Sequence, residues 1–133
     1  MTKEEIDQFL ESIGGLTQIG YREDYIIKSS NFFQCENGWN LIIKRLIEDL
    51  IELGWDKKIV QIKEKFAGLR FYVDSGSDEI HNRIRLAEEE SYKTCEKCGE
   101  EGERRVDLGW WSTLCEKHYN ETKDEINKRN IQK

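Results

Sequence analysis

The spacing of apolar residues predicts a helix close to the start of the chain. One face of that helix carries Ile6, Phe9, Leu10 and Ile13. Thr2 followed by Glu5 has the pattern of a capping box, in which each side chain accepts a backbone N–H at the helix start. Gly14-Gly15 then supplies residues that readily end a helix. We therefore expect an amphipathic first helix that ends before these glycines.

A longer apolar stripe predicts the central core helix, from Gly38 to Leu53. Its members are Trp39, Ile42, Ile43, Leu46, Ile47, Leu50 and Ile51. Asn37 is suited to cap the start of this helix, and Gly54 is suited to end it. The stripe is best explained as core packing. The preceding segment, residues 16–37, fits either a strand or an irregular connection.

Alternation with a period of two predicts a β-hairpin with a turn at Phe66-Ala67-Gly68. The face expected to lie on the core helix carries Val60, Ile62, Leu69, Phe71 and Val73. The opposite face carries Gln61, Lys63, Arg70 and Tyr72, and Lys65 joins this set if the turn geometry allows. This second face has more charge than an ordinary core-facing surface.

A further helix is expected from Asp78 to about Tyr92, after a cap at Ser75 or Ser77. Its narrow apolar stripe consists of Ile80, Ile84 and Ala87. The order of helices and a small hairpin predicts an α+β fold, with helices packed on an antiparallel hairpin or sheet. We expect an α+β core domain at residues 1–93.

Two close pairs of metal-binding side chains follow this core. Cys95 and Cys98 are two residues apart, as are Cys115 and His118, and sixteen residues separate the pairs. Tetrahedral zinc is commonly held by two such pairs of sulfur and nitrogen ligands. Four protein ligands leave no open position on the metal, so the zinc would be structural. A redox Cys95–Cys98 pair and unliganded buried cysteines are the alternatives, but a redox pair leaves the second spacing unexplained.

The second ligand pair opens a predicted helix that runs from Glu116 to about Lys128. A knuckle, a short hairpin and ligands at a helix start together make a treble-clef or zinc-ribbon pattern. We therefore expect a zinc-binding module with a C-terminal helix at residues 94–133. Cys35 lies beside Phe32 and Phe33, and its simplest interpretation is that of a small buried hydrophobic residue.

Composition and charge argue against some classes of function. The chain has 133 residues, of which 36% are charged, and a formal charge of −6. That charge argues against coating long nucleic acid, because such binding needs clustered cations to neutralise many phosphates. No apolar run approaches the ~20 residues that span a bilayer. The N-terminal segment is acidic and amphipathic, unlike a signal peptide, so a cytoplasmic protein is expected.

The sequence offers no recognisable catalytic arrangement. It contains two histidines, and one of them, His118, is used by the predicted metal site. His81 has no second histidine or carboxylate cluster arranged with it, which disfavours a nuclease. We find no nucleophile-elbow serine and no phosphate-cradling glycine loop. A non-enzymatic protein is therefore expected.

Three motifs together resemble a family of small proteins from bacteria and their phages. They are CENGW at residues 35–39, IKEKFAGLRFY at residues 62–72, and TCEKCG with GWWSTLCEKH within residues 94–118. In that family a Lys-Phe-Gly-Gly/Thr-Leu-Arg-Phe-Tyr strand precedes a helix and a Cys-x-x-Cys…Gly-Trp-x-x-x-Leu-Cys zinc module. Here Ala67 stands where glycine is usual and His118 where cysteine is common. The resemblance covers residues 35–119 and implies a phage or prophage context in a bacterial host.

Three functions fit these observations. The first, which the sequence favours slightly over the second, is sequestration of a small anionic, nucleotide-type ligand, by analogy with phage sponge proteins that block host defence. Its candidate ligand-binding residues are Lys63, Lys65, Arg70, Tyr72, Trp110 and Trp111. The second is a protein-interaction adaptor that binds through a surface of tryptophan and arginine.

The third function is nucleic-acid binding through Arg104, Arg105 and Lys117, which neighbouring glutamates largely offset. A homo-oligomer with a site across a dimer is compatible with each function. The plainer alternative is that Lys63 and Arg70 pair with nearby acids and that Trp110 packs the zinc module against the core.

Overall fold

The computed structural model describes residues 1–20, 25 and 27–131, with the side chain of residue 131 left aside. For residues 16–37 the sequence fits either a strand or an irregular connection. Within that segment, residues 21–24 and 26 lie outside the described residues. The helices are α1 (Lys3–Ser12), α2 (Ser29–Phe32), α3 (Asn40–Glu52), α4 (Asp78–Ser91) and α5 (Glu116–Ile131). The strands are β1 (Thr17–Gln18), β2 (Phe33–Gln34), β3 (Lys58–Lys65), β4 (Gly68–Val73), β5 (Glu103–Arg105) and β6 (Ser112–Leu114).

The main sheet is built around β3. Strand β4 pairs with β3 in antiparallel fashion, as the alternation predicted. The two short strands β1 and β2 each pair with β3 in parallel, against Lys58–Ile59 and Ile62–Lys63 respectively. The expected α+β class is confirmed, and the sheet additionally contains these two parallel pairs. Two-residue strands are too short to produce a periodic signal in a sequence.

Strand β3 contains an irregularity that changes which side chains face the core. The register with β4 shifts between Ile59 and Gln61, so Ile59 is fully buried and Val60 is 42% exposed. The prediction that Val60 faces the core is therefore wrong. A bulge adds one residue to a strand and reverses the alternation around it. Ile62, Leu69 and Phe71 are buried as expected.

The core lies between the sheet and helix α3. The fully buried residues of α3 and of the turn before it are Trp39, Ile43, Leu46, Ile47 and Leu50. Helix α4 packs beside α3 and β4, and Arg83 of α4 donates to Asp49 of α3 at 2.7 Å. Helix α1 adds buried Ile6 and Leu10. The predicted apolar stripe of α3 is thus confirmed as the centre of the core.

The predicted N-terminal caps of the helices are confirmed in two of three cases. Thr2 and Glu5 form the capping box of α1, and Ser77 accepts a hydrogen bond at the start of α4. The predicted cap at Asn37 is wrong. Asn37 begins a 3-10 turn, Asn37–Trp39, that leads into α3, and its Oδ1 accepts from Asn40 Nδ2 at 3.3 Å. The extra turn moves the α-helix start to Asn40, out of reach of an Asn37 cap.

The C-terminal segment has its own small cluster of buried residues, formed by Cys95, Leu108 and Leu114. Strands β5 and β6 form an antiparallel hairpin in front of α5. The division into a domain at 1–93 and a module at 94–133 stays a prediction. None of the helices in the described ranges combines the length and apolar character needed to cross a bilayer.

Candidate metal centre and aromatic face

The first ligand pair lies on a tight turn. Gly99 has a φ of +83°, and its N–H donates to Cys95 O at 2.9 Å. The N–H of Cys95 donates to Glu100 O at 2.7 Å, which closes the turn around the two cysteines. A residue with a side chain is strained at this φ. Gly99 therefore allows Cys95 and Cys98 to direct both sulfurs to one point.

The second ligand pair follows strand β6. Cys115 comes directly after Leu114, the last residue of β6, and His118 lies in the first turn of α5. The backbone N–H of His118 lies 3.5 Å from Cys115 Sγ. Glu103 of β5 pairs with Leu114 of β6. This pairing brings the chain back from the turn at Cys95 and Cys98 to Cys115. The hairpin thus brings the two ligand pairs together.

The ligand atoms of Cys95, Cys98, Cys115 and His118 all lie within 4.8 Å of one another. Cys98 Sγ is 3.7 Å from Cys115 Sγ, and Cys95 Sγ is 3.7 Å from His118 Nδ1. Zinc-like bond lengths in a tetrahedron place sulfur atoms ~3.8 Å apart and sulfur ~3.6 Å from nitrogen. A disulfide would need sulfurs ~2 Å apart, and each cysteine is a free thiol. The arrangement fits a metal ion.

The pKa values of two thiols in the cluster, Cys115 and Cys98, are shifted in opposite directions. Desolvation acts to raise the pKa of Cys115, but hydrogen bonds from His118 outweigh it and lower this pKa to about 7. Desolvation raises the pKa of Cys98 to about 11, with smaller contributions from the other two thiols and against the lowering effect of a hydrogen bond from the Glu100 backbone. Neighbouring thiolates repel one another, and a bound metal cation would stabilise them in the deprotonated form.

The CENGW segment holds the first ligand pair against the core. The N–H of Gly38 donates to Glu96 O at 2.6 Å, and Trp39 Nε1 donates to Thr94 O at 2.9 Å. A Cβ at Gly38 would lie well inside van der Waals contact with the carbonyl oxygens of Cys95 and Glu96. Glycine is therefore required for this close approach. The first and third motifs of the sequence are in direct contact.

Glu96 is a buried carboxyl group between the two ligands of the first pair. Its Oε2 accepts a hydrogen bond from the backbone N–H of Glu36 at 3.1 Å. Burial raises the pKa of Glu96 to about 7, against the lowering effect of this hydrogen bond. Cys35, beside Glu36, is partly buried and packs against the main core. Glu96 thus ties the metal centre to the CENGW segment a second time.

The turn between β3 and β4 contacts the hairpin formed by β5 and β6. Phe66 and Ala67 have φ values of +52° and +71°, the left-handed conformation of a two-residue hairpin turn. The Ala67 N–H donates to Glu64 Oε2 at 2.8 Å, and Thr113 Oγ1 donates to Ala67 O at 2.7 Å. These two hydrogen bonds fix the backbone of Ala67, at the position where the family resemblance predicts glycine. Thr113 belongs to β6, so the two hairpins are joined.

Three exposed aromatic rings meet where the hairpins join, and we call them the aromatic face. Phe66, Trp110 and Trp111 are 61%, 51% and 46% exposed. The ring centroids of Phe66 and Trp111 are 6.0 Å apart in an edge-to-face arrangement. Together with Glu64 the three rings line a cavity of about 360 Å³. The Arg104 guanidinium is 5.1 Å from the Trp111 ring centroid.

The predicted ligand-binding residues fall into two separate groups. Trp110 and Trp111 lie at the turn, where Lys65 Nζ is 5.7 Å from the Phe66 ring centroid. Arg70 and Tyr72 line a different cavity, of about 200 Å³, with residues of α4. These two residues therefore do not share a cavity with the tryptophans, and a ligand-binding role for the whole predicted set stays a prediction.

Arg70 is engaged within the molecule. Its guanidinium forms an ion pair with Glu88 and donates to Tyr92 Oη at 3.2 Å. Lys63 is the cross-strand partner of Arg70, and its Nζ is 5.9 Å from the Tyr72 ring centroid. The interpretation that Arg70 pairs with a nearby acid is therefore the one that these contacts support.

Sequence reasoning missed Phe66, which belongs to the aromatic face, and Glu64, which lines its cavity. The sequence predicts Phe66 as a turn residue and offers Glu64 as one of the nearby acids that can pair with Lys63 or Arg70. The available signal was the length of the turn, because a two-residue turn puts Phe66 at its tip, where a side chain cannot reach the core.

The fold and this site define a mixed α/β protein with a Cys₃His cluster suited to a metal ion. Comparison of the chain with protein-family models, curated proteins and solved structures finds no match.

Proposed function

We propose that this chain is a non-enzymatic, zinc-stabilised binding protein of phage type that binds a protein partner in the bacterial cytoplasm. The partner would contact the aromatic face formed by Phe66, Trp110 and Trp111. One observation carries this proposal: three large aromatic rings stay exposed where the Thr113–Ala67 hydrogen bond joins their two hairpins. Tryptophan and neighbouring arginine side chains contribute most to protein interfaces.

Zinc is the metal that the donor set suits. Three thiolates and one imidazole are typical of structural zinc sites, whereas magnesium and calcium prefer oxygen ligands. Cys95, Cys98, Cys115 and His118 would hold the ion. With four protein ligands the metal has no position for a substrate. Its proposed role is to fix the knuckle, the β5–β6 hairpin and the start of α5 relative to one another.

The conformation of Phe66 supports a binding role for the aromatic face. A bulky residue rarely adopts a positive φ, and such outliers concentrate at functional sites. Phe66 combines a φ of +52° with 61% exposure, so core packing does not account for its aromatic ring. The Phe66 ring contacts the Trp111 ring edge to face, and a side chain that such a contact orders before binding gains affinity because binding does not have to immobilise it.

A second candidate function is sequestration of a small anionic, nucleotide-type ligand, as a counter-defence sponge. Arg104 beside Trp111 and Lys65 beside Phe66 favour this candidate, because each puts a cation next to a ring that can stack on a base. Glu64 opposes it, since its carboxylate lines the same cavity. The ion pair of Arg70 with Glu88 also reduces the positive charge available on the neighbouring sheet face.

Affinity purification from infected bacterial cells, followed by mass spectrometry, tests the partner. The tagged parent chain should retain a specific protein that Trp111→Ala loses, while Tyr72→Ala retains it as a matched aromatic control from the other cavity. Equal capture by all three chains, or no partner at all, would contradict the adaptor function. Calorimetry with a nucleotide panel tests the second candidate, for which Arg104→Gln should weaken binding of a ligand recovered intact.

A further inference from the structure

We propose that the cavity of the aromatic face is a binding site for an alkylammonium group, such as a methylated lysine side chain. This inference rests on the proposed function and specifies the chemistry of the group that the partner would insert. The lining residues carry the argument, because the same cavity combines three aromatic rings with one carboxylate.

Aromatic rings attract cations through the negative potential above their faces. Tryptophan is the strongest of the aromatic side chains in this respect, and the cavity contains two of them with one phenylalanine. Rings from several directions can surround a compact cation, as in the aromatic cages that bind quaternary ammonium groups. Phe66 and Trp111 already stand edge to face at 6.0 Å, so two walls of such a cage meet at an angle.

Glu64 supplies the negative charge that an anion site would exclude. Its Oε2 accepts the Ala67 N–H at 2.8 Å, which fixes the side chain at the turn. Within the residues that the structure describes, Oε1 has no hydrogen-bond partner, and Glu64 is one of the residues that line the cavity. A carboxylate fixed beside aromatic rings strengthens attraction for an ammonium group, and methylation of that group lowers its desolvation penalty.

Two cations of the protein already contact the outer parts of this site. Arg104 lies 5.1 Å from the centroid of Trp111, and Lys65 lies 5.7 Å from that of Phe66. Each places a positive charge within about 6 Å of a ring of the aromatic face, the range over which a cation and an aromatic ring attract each other. Both also repel an incoming cation, so removing either charge should strengthen binding of an alkylammonium group. This sign is opposite to the one expected for an anionic ligand.

Tryptophan fluorescence titration with choline tests the site, with 3,3-dimethyl-1-butanol as its uncharged isostere. We expect choline to bind the metal-loaded chain about tenfold more tightly than the alcohol does. Trp111→Leu and Glu64→Gln should each weaken choline binding about fivefold or more, whereas Arg104→Gln should strengthen it. Tyr72→Leu is the matched control and should bind choline as the parent does.

Equal affinity for choline and the alcohol would overturn the proposal, as would failure of the parent to bind choline. Thermal unfolding of Trp111→Leu and Glu64→Gln checks that each remains folded. If either has unfolded, the parent's preference for choline over the alcohol and the response of Arg104→Gln still decide the outcome.

The proposal assigns the alkylammonium group to a side chain of the protein partner, and a free small molecule is the alternative outcome of the test. A peptide containing trimethyllysine, compared with the same peptide containing glutamine, distinguishes them. Binding of the trimethyllysine peptide about tenfold tighter than choline assigns the group to a protein. Binding no tighter than that of choline assigns it to a small molecule. The two proposals can fail separately. If the parent chain does not bind choline but Glu64→Gln still captures a protein partner from cells, the alkylammonium site is wrong and the adaptor function stands.

Discussion

The hydroxyl of Thr113 donates a hydrogen bond to the carbonyl oxygen of Ala67 at 2.7 Å, and this bond joins the two hairpins of the molecule. Thr113 lies between Trp111 and the metal ligand Cys115 on one short stretch of chain. Ala67 follows Phe66 at the tip of the other hairpin. The metal centre and the aromatic face are therefore connected through a few buried residues.

Replacing Thr113 tests this connection. Thr113→Val keeps the shape of the side chain but leaves the buried Ala67 carbonyl without its donor, and we expect a loss of about 1–3 kcal/mol in the free energy of unfolding. Thr113→Ser retains the hydroxyl and should lose only about 1 kcal/mol, for one buried methyl group. Urea denaturation of the metal-loaded proteins measures both. A Thr113→Val protein as stable as the parent would show that the hydrogen bond contributes nothing.

Gly38 should be indispensable for the contact between the CENGW segment and the metal knuckle. A Cβ there collides with backbone carbonyl oxygens, which cannot move aside as a flexible side chain can. We expect Gly38→Ala to lower the free energy of unfolding by about 3 kcal/mol or more and to weaken metal retention.

Gly15→Ala is the control for the Gly38 substitution. Gly15 has a φ of +80° and open space around its Cβ position, so this variant should lose about 1–2 kcal/mol and retain the metal. A stable, metal-loaded Gly38→Ala protein would contradict the account of the knuckle contact.

Much of the fold could be predicted because its signals are local. Thr2 and Glu5 form their capping box within four residues, and the stripe of α3 repeats over thirteen residues. The metal ligands could also be predicted, since a two-residue spacing forces each pair to converge on one point. These features depend on neighbours in sequence, and the structure brings them together as expected.

Other features depend on contacts between distant segments, and the sequence does not encode them locally. The bulge that exposes Val60 lies in β3, which pairs along its length with β4 and with the distant short strands β1 and β2. Arg70 meets Glu88 only because α4 packs beside β4. The cavity of the aromatic face needs Phe66 and Trp111 from two hairpins, and their separation in sequence gives no periodic signal.

Arg70 should act as a structural residue. Its guanidinium joins β4 to Glu88 and Tyr92 of the helix region, and only 18% of its side chain is exposed. We expect Arg70→Ala to lower the free energy of unfolding by about 1–2 kcal/mol, through the lost ion pair and lost packing of its stem. Lys63→Ala, on the cross-strand partner, should change it by less than about 0.5 kcal/mol. Thermal or urea unfolding distinguishes this from a ligand-binding role, for which Arg70→Ala would leave stability unchanged.

Removal of the metal should affect the chain unevenly. Hydrogen exchange with and without a chelator should show loss of amide protection in β5, β6 and the first turn of α5, because these elements have a small cluster of buried residues. Helix α3 should keep its protection, since its buried face packs on the main sheet. Equal loss of amide protection throughout the chain would contradict the predicted division into a core domain at 1–93 and a module at 94–133. So would the absence of any loss of protection.

The metal content of the purified chain tests the central claim most directly. Mass spectrometry of the metals should find about one zinc ion per chain in the parent and in Cys35→Ala, because Cys35 lies outside the Cys₃His cluster. Cys98→Ala should lose that zinc, since it removes one of the four ligands. A parent chain purified without zinc would contradict the account, as would a Cys98→Ala protein that keeps a full complement of it.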